Sequence, residues 1–140
     1  MTRRVLLDTG PLVAFLNRRD RFHEWATGVL DSVDAPLLTC EAVLSEACFL
    51  LRHAGGGREA VMKLVERGLV TPSFRVSDEA GMIRRLLAKF ANVPMSLADA
   101  CLVRMSEQLA DVAVLTLDRD FRLYRRHGRQ VIPTLMPDSL

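Results

Sequence analysis

Four acidic residues stand where a carboxylate is unexpected. Asp8 ends the apolar run "VLLD", and Asp118 follows a second such run in "VLTLD". Buried strands do not normally end on an unpartnered aspartate, because Asp is rarely buried alone. Glu46 lies in "LSEACFLL", where its helical neighbours at three and four positions are Ala42, Val43, Phe49 and Leu50. That pattern places Glu46 on an apolar face near the core. Asp99 closes "SLAD", three residues after Ser96.

Each acid also has a plain structural use. Asp8 suits a helix N-cap, and Ser96 with Asp99 forms a capping-box pattern. Asp118 and Asp120 suit a turn or a helix start. An ion pair with Arg52 would neutralise Glu46. Taken together, however, converging carboxylates repel one another, and a divalent cation relieves that repulsion. The three histidines, His23, His53 and His127, are scattered without metal-ligand spacing, which argues against zinc. An all-oxygen donor set suits Mg²⁺ or Mn²⁺. Carboxylate-held ions of this kind hydrolyse phosphodiesters.

The elements that must position these acids follow from the apolar patterns. Val5–Leu7 and Val112–Thr116 read as buried strands, with further strands at 36–40, 73–77 and 130–133. Helical stretches cover 22–33, 41–54, 58–69, 80–90 and 96–110, with Gly55–Gly57 and Gly68 as stops. Strands alternating with helices predict a central, mostly parallel sheet of four to five strands between helical layers. Both acid-ended strands then deliver their carboxylates to one sheet edge, where ligands bind in open α/β sheets.

Totals set the frame. A chain of 140 residues, nearly half apolar and a quarter charged, predicts one globular domain over residues 1–140. No apolar stretch has the length of a membrane span, and Asp8 and Pro11 break any signal-peptide core. Cys40, Cys48 and Cys101 are odd in number and lie in apolar patterns, as reduced cysteines of a cytoplasmic protein would. The net charge of +2 is too small to identify a partner. Arginines nevertheless crowd "DRDFRLYRRHGR", where Arg122, Arg125 and Arg126 are placed to contact RNA phosphates.

In this order and at these separations, "LLDTGPLVAFLNRRDRFH", "LSEACFLL", "SLADACLV" and "LTLDRDF" resemble the PIN-domain ribonucleases, most closely the VapC-type toxins of toxin–antitoxin pairs. The resemblance spans essentially the whole chain and is loosest between residues 55 and 95. It implies a three-layer α/β/α fold and a metal-dependent endoribonuclease. The family's acidic quartet falls on Asp8, Glu46, Asp99 and Asp118, as catalytic residues and ligands of Mg²⁺ or Mn²⁺. Asp120 stands as an additional acid, and Thr116 matches the family's hydroxyl residue beside the site. The resemblance further implies a homodimer and a small VapB-type antitoxin that blocks the groove.

Rivals fare worse. A haloacid-dehalogenase-type phosphatase needs a second acid where Gly10 stands. A receiver domain needs an acidic doublet and a placed lysine, whereas Lys63 and Lys89 both lie in helical stretches. A PIN-like RNA-binding or scaffold module without turnover is the alternative that survives.

Overall fold

A computed structural model describes residues 3–140. Five parallel strands form the central sheet: β1 (Arg4–Leu7), β2 (Leu37–Thr39), β3 (Val70–Pro72), β4 (Val112–Leu115) and β7 (Thr134–Leu135). Their spatial order is β3-β2-β1-β4-β7. Six helices flank the sheet: α1 (Thr9–Leu16), α2 (His23–Ser32), α3 (Glu41–Leu50), α4 (Gly57–Glu66), α5 (Val76–Lys89) and α6 (Leu97–Gln108). The α/β class and the parallel sheet are as the sequence predicts.

Strands covered on both faces need apolar side chains at every position, not alternate ones. Leu6, Leu7, Ala113, Val114 and Leu115 are accordingly fully buried. From β1 the chain builds outward through β2 to β3, then crosses back to add β4 on the other side. The order therefore reverses between β1 and β4, which makes that edge a topological switch point. The register there sets Leu7 opposite Leu115. Asp8 and Thr116, each one residue further on, emerge side by side.

Two strand expectations are corrected. Residues 73–77 do not form a strand: the strand is Val70–Pro72, paired with Leu37–Thr39, and Val76 already opens α5. Gly68 turns the chain at φ +74°, so pairing begins two residues later and Pro72 ends it. Residues 130–133 form a strand only over their first two residues, and it lies outside the main sheet. Gln130–Val131 (β6) instead pairs antiparallel with Arg125–Arg126 (β5) in a small hairpin. Its loop holds His127 at φ 51° and Gly128 at φ 80°, the left-handed conformations a tight hairpin requires.

That hairpin redefines Arg126. Only 8% exposed, it sends Nη2 to the carbonyl of Ser106 and, at 2.7 Å, to that of Leu109. These are carbonyls at the C-terminal end of α6, where no amide of the helix remains to satisfy them. The guanidinium is thus committed to capping α6 and does not face solvent as a phosphate contact would. Arg126→Ala should lower stability by about 2–3 kcal/mol, since it strips the donor from two carbonyls at a buried helix end. Urea denaturation checks this; an unchanged midpoint would show that water replaces the side chain without loss.

Candidate active site

Asp8, Glu46, Asp99 and Asp118 line one cleft of about 390 Å³, together with Thr9, Gly10, Leu50, Ser96 and Leu117. Asp8 follows β1, α3 carries Glu46, α6 carries Asp99, and Asp118 lies beyond β4. A larger depression between α3 and α4, about 750 Å³, is bordered by Arg58, Glu59, Lys63 and Glu66. Its charges are mixed in sign, whereas the smaller cleft concentrates carboxylates.

Three of the four acids sit at helix starts, where free amides partly offset negative charge. Asp8 caps α1, with Oδ1 accepting from the Thr9 amide at 2.8 Å. Asp118 caps the short 3₁₀ helix Arg119–Arg122, its Oδ1 accepting from the Asp120 amide at 2.9 Å. Asp99 closes the capping box of α6: Ser96 Oγ accepts from the Asp99 amide at 3.0 Å, and Asp99 Oδ2 accepts from the Ser96 amide at 3.1 Å. The capping uses foreseen from sequence are therefore present. They hold the carboxylates in place at the cleft and leave its interior acidic.

Neutral groups finish the arrangement. The Thr116 hydroxyl, fully buried, donates to Asp8 Oδ2 at 2.6 Å and accepts from the Asp118 amide at 2.9 Å. It thereby ties the ends of β1 and β4 together. Thr9 Oγ1 donates to Glu46 Oε2 at 3.3 Å. The Tyr124 hydroxyl donates to Asp99 Oδ2 at 2.9 Å. Sequence inspection misses Thr9 and Tyr124. A threonine at a helix start and a tyrosine inside a basic stretch carry no signal of a contact to a distant acid.

Glu46 needs a correction. It is exposed, not near the core, because α3 buries Val43, Leu44 and Ala47 and turns Glu46, Phe49 and Leu50 outward. Phe49 is 61% and Leu50 52% exposed. Arg52 does not pair with Glu46 either; its guanidinium stacks 3.9 Å from the Phe49 ring centroid. Asp120 lies outside the lining of the cleft, its amide bonded to Asp118. Arg122 is exposed and bonds the Leu140 carbonyl, while Arg125 is half-buried and bonds the carbonyls of Arg122 and Tyr124.

The electrostatics are those of an uncompensated acidic cluster. Asp8 is 5% exposed, and burial pushes its carboxyl up to about 7; the bonds from Thr116 and Thr9 pull it down, while Asp99 and Asp118 push it further up. Asp99 is raised too, by burial first and then by Asp118, against the bonds from Ser96 and Tyr124. No arginine or lysine lines the cleft, and no ion pair among the described residues involves its four acids.

Comparison with protein families decides what this arrangement belongs to. The PIN-domain model matches residues 5–126. The chain belongs to the PIN-domain family. No curated protein matches it closely enough to refine that assignment. PIN domains are in general metal-dependent nucleases of RNA or DNA, and the set of donors lining this cleft fits such an ion chemically. It consists of oxygens, it is negative, and it lacks a protein counter-charge. As the side chains stand, no three His, Cys, Asp or Glu groups among the described residues approach closely enough to chelate one ion together.

Proposed function

We propose that this PIN domain is an Mg²⁺- or Mn²⁺-dependent endoribonuclease, the toxin of a VapBC-type toxin–antitoxin pair. One observation carries the reading: four carboxylates from distant parts of the chain line a single cleft that contains no cationic side chain. Burying Asp8 and Asp99 among them is costly without a counter-ion. Asp8, Glu46, Asp99 and Asp118 are the groups that would hold the ion. When bound, a divalent ion supplies Lewis acidity toward a phosphoryl oxygen and lowers the pKa of water.

The chain's own residues supply position. Thr9 and Thr116 fix both oxygens of Asp8, and Ser96 fixes one oxygen of Asp99. Leu50 and Leu117 flank the carboxylates with apolar surface. The cleft contains no histidine to take a proton from an RNA 2′-hydroxyl, which favours water as the nucleophile.

In the same proposal the protein is a cytoplasmic homodimer acting as one domain, held in check by a small antitoxin seated in the groove. Among the described residues no helix is long and apolar enough to cross a membrane. Expression without a partner should arrest bacterial growth, and Asp99→Asn should relieve the arrest. Growth arrest that persists in the variant would assign the toxicity to something other than cleavage.

Arg122 and Arg125 are the proposed RNA contacts that remain once Arg126 is committed to α6. Each phosphate contact releases counterions, so replacing both with alanine should flatten the salt dependence of RNA binding by about one to two units of slope. An unchanged slope would place the RNA elsewhere.

A further inference from the structure

Tyr124 is the chain's single tyrosine, and it is completely buried. Its ring is held edge-to-face by Phe90, with centroids 5.3 Å apart, and by Phe121 at 5.1 Å. A buried phenol needs a hydrogen-bond partner. Tyr124 spends its proton on Asp99 Oδ2, the oxygen that also accepts from the Ser96 amide. Two donors on one oxygen fix the rotation of the carboxylate and leave Oδ1 for the cleft.

We propose that Tyr124 is a positioning residue: its hydroxyl, locked by Phe90 and Phe121, orients the Asp99 carboxylate for a divalent cation. The proposal rests on the metal-dependent reading above and assigns a role to a residue outside the acidic quartet. Asp99 is otherwise set only by its own helix cap, which by itself would serve any α6 with this sequence. The phenol comes from another part of the chain, just after the 3₁₀ helix that Asp118 caps. It therefore links the position of Asp99 to the segment bearing Asp118. Partners behind a ligand of this kind are worth about 10–100-fold in metal affinity or activity.

The test is Tyr124→Phe, which keeps the ring packing and deletes only the hydroxyl. Mn²⁺ binding followed by calorimetry should weaken about 10–100-fold, with circular dichroism unchanged. The Mn²⁺ concentration for half-maximal cleavage should rise in step, while KM for RNA stays near the native value. In an Asp99→Asn background the same substitution should have no further effect on Mn²⁺ binding, because its route runs through Asp99. Uniform 3-fluorotyrosine labelling gives one ¹⁹F resonance, which should shift on Mg²⁺ titration without any substitution. Native Mn²⁺ affinity in Tyr124→Phe, or a ¹⁹F signal that stays fixed while Mg²⁺ binds, overturns the role of Tyr124 alone. Failure of the native protein to bind either ion overturns the metal-dependent reading, and this role with it.

Discussion

Asp99→Asn should reduce RNA cleavage by about 10³-fold while the protein stays folded. The side chain changes by one atom type, so an amide oxygen can still accept from the Ser96 amide and complete the cap of α6. The substitution removes a negative charge at a cleft that concentrates such charges. Losing one electrostatic contact to a transition state costs on the order of 10²–10³ in rate, and in the proposed site Asp99 would act through the cation it helps to hold. Stability at neutral pH should hold or rise, because burial already disfavours the ionised form of Asp99. Single-turnover cleavage and a thermal melt separate the two effects. Cleavage at the native rate by Asp99→Asn would reduce this residue to its capping use.

The metal-free protein should lose stability as pH rises from about 4 to about 7, and Asp8→Asn should abolish most of that loss. Burial raises the Asp8 carboxyl from 3.8 to about 7, so the folded state binds this proton more tightly than the unfolded chain does. Its contribution is complete below the unfolded value and is lost as pH climbs through the folded one. A shift of about three units corresponds to about 4 kcal/mol at most. Asparagine cannot ionise, and its oxygen can still accept from the Thr9 amide. Melts in EDTA between pH 4 and pH 8 should therefore slope downward for the native protein and run nearly flat for the variant. Mg²⁺ at pH 8 should raise the native melting temperature and leave Asp8→Asn nearly unmoved. Parallel pH profiles for the two proteins would mean that Asp8 is solvated in the cleft.

Much of this architecture is legible in the sequence because the decisive signals are local. "VLL" and "VAVL" are short, continuous apolar runs of the kind that strands covered on both faces carry. "SLAD" carries its own capping chemistry, and the structure forms that box. Strand ends then bring Asp8 and Thr116 together, since parallel register sets the residues just past paired strands side by side. Other features depend on tertiary partners. The apolar residues around Glu46 suggest a core face, but α3 packs with Val43, Leu44 and Ala47 inward, which only its contacts decide. Arg126 reads as one more surface arginine until the hairpin swings it beneath α6. Strand β7 is two residues long, and prolines at 133 and 137 flank its segment, so it offers no periodicity to detect.

The most direct measurement is the chemistry of the cut ends. RNA incubated with the protein and Mn²⁺ should yield 5′-phosphate and 3′-hydroxyl termini, with no cleavage in EDTA, because in the proposed reaction water attacks phosphorus and the 2′-hydroxyl takes no part. A single 2′-deoxy substitution at the scissile position should still be cut. A 2′,3′-cyclic phosphate product that persists in EDTA would contradict the metal-dependent role assigned to Asp8, Glu46, Asp99 and Asp118.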